Sequence, residues 1–182
     1  VCAAAALALA AGVWPVPAAH AEDPPAFLGA AGQFMLIRPL KKAPFAAVDD
    51  EKGKPVELAG RLKGKVVLLN FWATWCGGCK LEMPWFREFH AKLGPRGLAV
   101  VGVAMDETGW AAVRPYLDKA PANYPIALAD TPTQTRYGVK SLPVTYLIDR
   151  RGRVAATYAG VIDRENFEAN LQTLLREPAG RR

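Results

Sequence analysis

The sequence predicts an α/β fold with a central mixed sheet of parallel and antiparallel strands, flanked by helices. Two continuous apolar runs, Val66–Trp72 and Leu98–Ala104, are typical of parallel strands that are buried on both faces. A segment with helical periodicity follows each run. Two strands joined by a short basic turn, and then a last helix, add antiparallel pairs to this sheet. At 182 residues, the chain is long enough for one domain with its own hydrophobic core.

The other elements follow from the spacing of apolar residues. Residues 45–48 and 56–58 predict a small N-terminal β-hairpin, because residues 49–54 between them are rich in Asp and Gly. Apolar residues at helical spacing predict the later helices, and short apolar runs predict the strands between them. After the first apolar run, the predicted elements are helix 80–93, strand Leu98–Ala104, helix Trp110–Lys119, strand 126–129, helix Thr131–Tyr137, strands Val144–Ile148 and 154–158, and helix Arg164–Arg176.

The first 21 residues predict a secretory signal peptide. A stretch rich in Ala and Leu is followed by Pro15, and Ala19-His20-Ala21 offers a small-x-small cleavage site. The basic n-region is missing, so we expect the printed sequence to start inside its precursor. A retained membrane anchor is the alternative, although the apolar run is shorter than the ~20 residues that span a bilayer.

This segment sets the expected organisation of the chain. We expect residues 1–21 to be the signal peptide, 22–43 a linker or N-terminal arm, 44–176 the domain, and 177–182 a C-terminal tail. A signal peptide indicates a periplasmic or otherwise extracytoplasmic protein, and a retained anchor would add membrane association at the N-terminus.

The charge balance is moderately basic, with a formal net charge of +6. The cations are scattered and do not alternate with aromatic residues, so we expect them to support solubility and expect no nucleic-acid partner. The densest group, residues 150–153, is typical of a solvated hairpin turn. We expect the protein to be a monomer.

The chain has three cysteines. Cys2 lies in the predicted signal peptide, and we take it to be inert. Cys76 and Cys79 remain. Two cysteines are too few for a structural zinc site, and the loop that they would close is too short for a disulfide-rich scaffold. No metal site is therefore predicted. A tight pair that stands alone indicates redox chemistry, and a structural disulfide is the alternative.

Cys76 and Cys79 lie where a predicted strand runs into a predicted helix. The free amides and the positive dipole end at a helix N-terminus would stabilise a thiolate at Cys76. An exposed Cys76 sulfur can attack a disulfide. Cys79, one helical turn further in, can then resolve the mixed disulfide.

Residues 65–84 resemble the thioredoxin superfamily. Residues 70–76, Asn-Phe-Trp-Ala-Thr-Trp-Cys, are similar to its TlpA/ResA-like branch of exported thiol–disulfide oxidoreductases, and the resemblance extends over residues 44–176. Pro84, five residues after Cys79, matches the proline that kinks the superfamily's active-site helix. The resemblance implies a thioredoxin fold, protein dithiol or disulfide substrates, and an upstream membrane electron donor. It implies no cofactor beyond a redox-active Cys76–Cys79 disulfide.

Residues 141–149 resemble the segment that holds the superfamily's cis-proline. In that fold this loop lies against the cysteine pair, and the residue before the proline offers its backbone to the substrate peptide. An ordinary trans proline entering an edge strand is the alternative. Val144 stands where many relatives have threonine. The expected substrate-binding residues are Trp75, Gly77, Gly78, Leu142 and Pro143.

Glu82 is a further catalytic candidate. It lies three residues after Cys79, on the same helical face, and resembles an acid that influences cysteine ionisation in ResA-like proteins. Thioredoxin itself keeps a buried aspartate where this chain has Asn70, so Glu82 is the nearest proton acceptor in the sequence. The alternative is a solvated carboxylate that interacts with Lys80 or Arg87.

Four more positions bear on the predicted function. Gly78 replaces the proline that usually precedes the second cysteine, and Gly77 and Gly78 each cost the first helical turn up to ~1 kcal/mol. The direction of electron flow is therefore not predicted. Trp110 is interpreted as a core residue, with substrate contact as the alternative. His90 lies too far along the helix to pair with Cys76.

An extracytoplasmic protein-disulfide reductase, with a role in cytochrome c maturation, is the function that the resemblance favours. A peroxide-reducing enzyme of the same fold is one alternative, although no Pro-x-x-x-Thr precedes Cys76. A Cu(I)-binding chaperone is the other alternative. Cys76 and Cys79 would then be the soft ligands, although this fold's copper sites usually add a histidine and a wider spacing.

Overall fold

A mixed β-sheet with helices on both faces forms the described part of the chain. A computed structural model describes residues 62–178, residue 43, and the backbone of residues 34–35, 47–49 and 55–57. The sheet order is β1-β8-β7-β4-β5-β6-β2-β3. The strands are β1 (Phe34–Met35), β2 (Ala47–Asp49), β3 (Pro55–Glu57), β4 (Val66–Trp72), β5 (Leu98–Ala104), β6 (Ile126–Leu128), β7 (Val144–Ile148) and β8 (Val154–Ala159).

The centre of the sheet confirms the interpretation of the apolar runs. Strands β4 and β5 pair in parallel from Val66↔Leu98 to Trp72↔Ala104, and all seven residues of each strand are buried. Strand β6 continues the parallel set beyond β5. On the other side, β7 pairs antiparallel with β4, and β8 pairs antiparallel with β7. Because layers cover both faces, these strands have no solvent-facing side that would require polar residues.

Among the described residues, four α-helices cover the sheet. They are α1 (Gly77–Leu93), α2 (Trp110–Lys119), α3 (Thr131–Tyr137) and α4 (Arg164–Arg176). Phe86 and Phe89 of α1 pack with Phe167 of α4 over one face of the sheet. Tyr137 at the end of α3 packs over the other face, against Phe71 and Tyr146. The predicted α/β class with a mixed sheet is confirmed.

Helix α1 begins at Gly77, three residues before the predicted start. The helical pattern of apolar residues begins at residue 80, but the two preceding glycines join the helix because Cys76 caps it: the Cys76 sulfur accepts a hydrogen bond from the Cys79 N–H. Pro84 lies inside the helix, where its ring nitrogen has no hydrogen to donate to the preceding turn. After residue 62, two other boundaries differ by one residue: β6 ends at Leu128, and β8 continues to Ala159. In the hairpin, the strands span Ala47–Asp49 and Pro55–Glu57, where 45–48 and 56–58 were predicted.

The predicted N-terminal hairpin is described only in part. The backbones of β2 and β3 pair antiparallel, with Val48 opposite Val56, and Asp49 of β2 pairs with Leu128 of β6. The predicted turn between them lies outside the described residues. So do the predicted signal peptide, most of the predicted linker and residues 179–182. Within the described residues, no helix combines the length and the apolarity that crossing a membrane requires.

Candidate active site

The cysteine pair lies at the carboxyl end of β4, where the chain enters α1. Cys76 and Cys79 form a disulfide, and their Cα atoms are 5.3 Å apart. Cys76 is the N-cap residue of the helix, and its Sγ lies 3.2 Å from the Cys79 amide nitrogen that donates to it. The Cys76 N–H in turn donates to the Ala73 carbonyl at 3.1 Å. The sulfur of Cys76 therefore sits at the positive end of a helix, with an N–H donor directed at it.

The two cysteines differ in accessibility. Cys76 is 6% exposed and Cys79 is 1% exposed. Both pack with Trp72, Ala73 and Met83 in an apolar cluster that also reaches α2. The expectation of an exposed Cys76 is therefore wrong for the disulfide form, in which Cys76 is buried. The order is nevertheless the expected one, with Cys76 nearer to solvent than Cys79.

The two glycines between the cysteines have different surroundings. Gly77 is exposed, and a Cβ atom built on it would meet nothing within 4 Å. A Cβ atom on Gly78 would lie 2.8 Å from Cγ2 of Val161 and 3.3 Å from Cδ of Pro143. Gly78 therefore permits a close approach between the start of α1, the Pro143 loop and the segment that follows β8.

Pro143 lies beside this turn. The Leu142–Pro143 peptide bond is cis, as the resemblance implies. Pro143 is buried and Leu142 is partly exposed. The Gly160 N–H donates to the Pro143 carbonyl at 2.8 Å, which ties the loop before β7 to the end of β8. The structure thus brings Leu142, Pro143, Gly77 and Gly78 together around the disulfide.

Glu82 is buried completely, so the alternative of a solvated carboxylate is wrong. Its Oε1 accepts a 2.8 Å hydrogen bond from the Ile162 N–H, and its Oε2 has no partner among the described residues. Burial raises the pKa of Glu82 to about 7, and the Ile162 hydrogen bond lowers it by less. Glu82 is therefore a buried carboxyl group that titrates near neutral pH, one helical turn from Cys79.

Asn70 forms a hydrogen bond between two neutral side chains in the sheet beneath α1. It lies on β4, is buried, and donates from Nδ2 to Oγ1 of Thr145 on β7 at 3.0 Å. With Asn70 neutral, Glu82 is the buried carboxyl group on the active-site helix itself. The sequence analysis also named Glu82 as the nearest proton acceptor, because Asn70 stands where thioredoxin has a buried aspartate.

The turn before Cys76 is held by a residue that the sequence interpretation did not single out. Asp106, which follows β5, is buried. Its carboxylate accepts from the Thr74 N–H at 3.1 and 3.2 Å, and from the Thr74 hydroxyl at 2.6 Å. The Met105 N–H also donates to the Trp72 carbonyl at 2.8 Å. These bonds fix the backbone between the end of β4 and the cysteine.

Two large apolar side chains remain exposed near the disulfide. Trp75 is 69% exposed and Leu81 is 61% exposed, and they are the exposed large hydrophobic residues within the described part of the chain. Leu81 lies four residues after Gly77 and three after Gly78, so it shares their face of α1. Sequence analysis identified Trp75 and missed Leu81.

The segment after β8 was also missed. Val161 contacts the Gly78 position, and Ile162 donates to Glu82. The signal in the sequence is weak: Gly160 follows a strand, and Asp163 caps α4 through its bond from the Asn166 N–H. A glycine and a helix cap predict a turn, but they do not predict what it contacts.

The remaining candidates lie away from the reacting atoms or pack against the core. His90 is partly exposed on α1, with its ring near Tyr124. Trp110 is partly buried against the apolar cluster that contains the cysteines. Among the described residues, no group of three or more His, Cys, Asp or Glu side chains could hold a metal ion.

A protein-family model for the AhpC/TSA family matches residues 39–157. The chain belongs to this family. This AhpC/TSA protein is 37% identical over 135 residues to "Thiol-disulfide oxidoreductase ResA" of Bacillus cereus, an alignment that covers 74% of this chain and 77% of that one. It is thus similar to a curated oxidoreductase over most of both chains.

Two solved structures from Chlorobium tepidum are also similar to this AhpC/TSA protein. One is assigned as a thiol:disulfide interchange protein DsbE, with a TM-score of 0.70 and 34% identity over 75% of this chain and 96% of that one. The other is a thiol:disulfide interchange protein of the thioredoxin family, with a TM-score of 0.67 and 26% identity over 75% and 97%. The predicted thioredoxin fold and the thiol–disulfide oxidoreductase class are confirmed.

Proposed function

We propose that this protein is an extracytoplasmic protein-disulfide reductase in which Cys76 is the nucleophile and Cys79 is the resolving thiol. The observation that carries the proposal is the position of Cys76. It caps the N-terminus of α1, receives an N–H hydrogen bond on its sulfur, and is nearer to solvent than Cys79. Partial positive charge at a helix N-terminus favours the thiolate, which is the attacking form.

The reaction begins from the reduced pair. The Cys76 thiolate attacks one sulfur of a substrate disulfide, forming a mixed disulfide and releasing the other substrate sulfur as a thiolate. The Cys79 thiolate then attacks the Cys76 sulfur, which forms the Cys76–Cys79 disulfide and releases the second substrate sulfur. Two electrons pass from the cysteine pair to the substrate. A dithiol donor must then reduce the Cys76–Cys79 disulfide by the same exchange.

Glu82 is proposed as the group that accepts the Cys79 proton before the second attack. Cys79 is more buried than Cys76, so water has less access to its thiol. A carboxyl group with a pKa of about 7 can take up a proton and release it again near neutral pH. Its unpartnered Oε2 has lone pairs available for that proton.

The substrate surface is proposed to surround the disulfide. Trp75 offers an exposed aromatic face directly before Cys76, and Gly77 leaves open space beside it. The Leu142 backbone, next to the cis bond, is proposed to pair with an extended substrate segment. Exposed apolar side chains suit a protein substrate more than a small polar disulfide, because they gain by being removed from water.

We further propose that the protein acts outside the cytoplasm, in cytochrome c maturation. The composition of residues 1–21 supports export, and similarity to the ResA and DsbE proteins agrees with it. The proposed substrates are the haem-binding cysteines of apocytochrome c, with a membrane dithiol protein as electron donor. An oxidised Cys pair in the substrate is the chemical requirement that the reaction above imposes.

Trapping tests the proposal. In the Cys79→Ser variant the mixed disulfide at Cys76 cannot be resolved, so mass spectrometry of envelope proteins should find Cys76 joined to substrate cysteines. The Cys76→Ser variant is the matched control and should trap nothing. Absence of any Cys76 adduct counts against reductase function. The reduction potential of the pair decides the direction of electron flow. A value near that of thioredoxin supports a reductant, and one tens of millivolts or more above glutathione indicates an oxidant or isomerase.

A peroxide-reducing enzyme remains the second candidate, because the matching family model carries the AhpC/TSA description. That class relies on a Pro-x-x-x-Thr pattern before its reactive cysteine, and no such pattern precedes Cys76 in this sequence. Reaction of the reduced protein with hydrogen peroxide, followed by stopped-flow fluorescence, separates the two functions. We expect it to be slow compared with reduction of a protein disulfide.

A further inference from the structure

The end of the molecule opposite the disulfide is held together by Arg150. Its Nη1 donates to the Gly64 carbonyl at 3.0 Å, and its Nη2 donates to the carbonyls of Arg96 and Leu175 at 3.3 and 3.2 Å. These contacts join four segments, residues 62–65, 94–97, 149–153 and 175–177, which we call the basal end. A single planar side chain thus fixes the relative positions of turns that are distant in sequence.

The sheet register places the basal end away from the reacting sulfurs. Val66, at the amino end of β4, pairs with Leu98, and Val67 pairs with Ile148. Cys76 follows the carboxyl end of the same strand. The seven residues of β4, at about 3.3 Å each, therefore separate the basal end from the disulfide.

Positive charge is concentrated at the basal end. Among residues 62–178, the rest of the protein carries eight Lys and Arg residues and nine Asp and Glu residues, so it has no excess of positive charge. The basal end has two carboxylates: Asp149, which is buried and paired with Arg153 at 2.7 Å, and Glu177. Its seven cations are Lys63, Lys65, Arg96, Arg150, Arg151, Arg153 and Arg176.

Most of these cations are free to meet a partner. Lys63, Lys65, Arg96 and Arg151 are exposed, and none forms an ion pair with another described residue. Glu177 is a single carboxylate beside these cations: burial and Asp149 raise its pKa, whereas Arg153, Arg151 and Arg150 lower it by less. The excess charge therefore faces solvent on one side of the molecule.

We propose that the basal end is a docking surface for an anionic lipid bilayer. The exposed large hydrophobic side chains of the described residues, Trp75 and Leu81, are both near the disulfide. The basal end thus lacks the aromatic platforms on which nucleic-acid bases stack, and the apolar anchors that dominate protein interfaces. A cationic surface without apolar anchor residues is suited to a membrane, because many anionic headgroups lie side by side and attract each nearby cation.

Docking through the basal end has a consequence for the thiol chemistry. The disulfide, Trp75 and the Leu142–Pro143 loop would face away from the bilayer, toward proteins in the adjoining compartment. The attraction is a screened one, since the Debye length is ~8 Å at physiological ionic strength, so it should weaken steeply as salt is added. This inference does not depend on the direction of electron flow.

Vesicle binding by the full 182-residue chain tests the inference. Its affinity should be compared for vesicles of phosphatidylcholine and for vesicles in which phosphatidylglycerol replaces part of that lipid. Any binding by the apolar N-terminal residues is common to both lipids, so the ratio of the two affinities isolates the charge effect. In the variant Lys65→Gln/Arg96→Gln/Arg151→Gln that ratio should fall about a hundredfold at low salt, at roughly fivefold per cation.

The matched control is Lys119→Gln/Arg136→Gln/Lys140→Gln, which removes three exposed cations elsewhere. It should keep the wild-type ratio. An equal fall in both variants would mean that net charge alone matters, and no anionic preference in the wild type would exclude the bilayer. Preference for an acidic protein or a nucleic acid over the anionic vesicles would also overturn the inference.

Lysine footprinting gives an independent measurement if the apolar residues hold the chain on every vesicle. Acetylation of Lys63 and Lys65, read by mass spectrometry, should slow on anionic vesicles relative to neutral ones. Lys119 and Lys140 are exposed internal controls and should react equally on both. Equal protection of all four lysines would show that the basal end has no special orientation toward the bilayer.

Discussion

The Glu82 carboxylate on the active-site helix accepts a 2.8 Å hydrogen bond from the Ile162 N–H, eighty residues later in the chain. The same segment brings Val161 against Gly78 and lets Gly160 donate to the Pro143 carbonyl. Residues 160–162 therefore contact the cysteine turn, the cis-proline loop and the buried acid at once. A substitution in the cysteine turn, in the cis-proline loop or at Glu82 should therefore alter the packing of the other two.

The first prediction concerns the pH dependence of stability. Burial raises the pKa of Glu82 from 4.5 to about 7, so between these pH values the folded state keeps a proton that the unfolded chain has released. The stability that this group contributes is complete below pH 4.5 and is lost as the pH rises to about 7. The loss is on the order of 3 kcal/mol in the free energy of unfolding.

The Glu82→Gln variant should lack this loss while its side-chain oxygen still accepts from Ile162. Urea unfolding of oxidised wild type and variant across this pH range measures it. The exposed Glu165→Gln variant is the control and should follow the wild type. Parallel curves for wild type and Glu82→Gln would show that Glu82 does not titrate in this range.

The second prediction concerns the rate at which the mixed disulfide resolves. If Glu82 takes the Cys79 proton, Glu82→Gln should slow resolution about a hundredfold near neutral pH, the usual size of a general-base effect. At high pH, where hydroxide removes the thiol proton, the two rates should converge. Quenched-flow analysis of the mixed disulfide measures this, and a rate ratio that is independent of pH would leave Glu82 a structural role only.

The third prediction uses the unequal space around the two glycines. A Cβ atom on Gly78 would lie 2.8 Å from Val161, and Val161 has a stiff, branched side chain. Gly78→Ala should therefore destabilise the oxidised protein by about 1–3 kcal/mol, as overpacking does. Gly77→Ala meets nothing within 4 Å and should stabilise by up to ~1 kcal/mol through helix propensity.

A double variant checks the cause. In Gly78→Ala/Val161→Ala the clash is relieved, so the loss from Gly78→Ala should shrink when measured against Val161→Ala alone. Thermal unfolding of the four proteins gives the coupling free energy. Additive effects would show that Val161 is not what limits the size of residue 78.

The sheet could be predicted because its signals are local. Strands β4 and β5 are continuous apolar runs, which indicates burial on both faces. Helix α4 has one apolar stripe, which indicates burial on one face. Neither inference requires knowing which element packs against it. The start of α1 was harder. Gly77 and Gly78 argue against helix on propensity, and the capping by the Cys76 sulfur overrides them.

The candidate site could be predicted where neighbours in sequence create it. Cys76, Cys79 and Pro143 carry a recognisable resemblance, whereas Val161, Ile162 and Asp106 act through contacts that no short motif encodes. Glu82 shows the limit most clearly. Its helical spacing suits both a solvated carboxylate and a buried acid, and only the packing of residues 160–162 over α1 decides between them.

The fourth prediction concerns Asp106, which we treat as a positioning residue. Removing its carboxylate in Asp106→Ala leaves the Thr74 N–H and hydroxyl without their acceptor, at a cost of about 1–3 kcal/mol in the free energy of unfolding. The turn before Cys76 should also loosen, and protein-disulfide reduction should slow roughly tenfold.

Asp106→Asn retains one acceptor oxygen and should recover most of both losses, while the exposed Glu107→Gln variant should resemble the wild type. Chemical denaturation and single-turnover reduction provide the two readouts. A loss of stability with an unchanged rate would confine Asp106 to folding.

The fifth prediction separates substrate contact from chemistry. Trp75 is 69% exposed, so Trp75→Ala should change the free energy of unfolding by no more than ~0.5 kcal/mol. If its indole contacts protein substrates, the rate constant for reducing a protein disulfide should fall about tenfold, with little change toward a small aromatic disulfide. Leu81→Ala, exposed to a similar extent on α1, tests how far the contact surface extends. An equal fall toward both substrates would instead assign Trp75 to the reactivity of Cys76, because the small disulfide is too short to reach a contact beyond the sulfur.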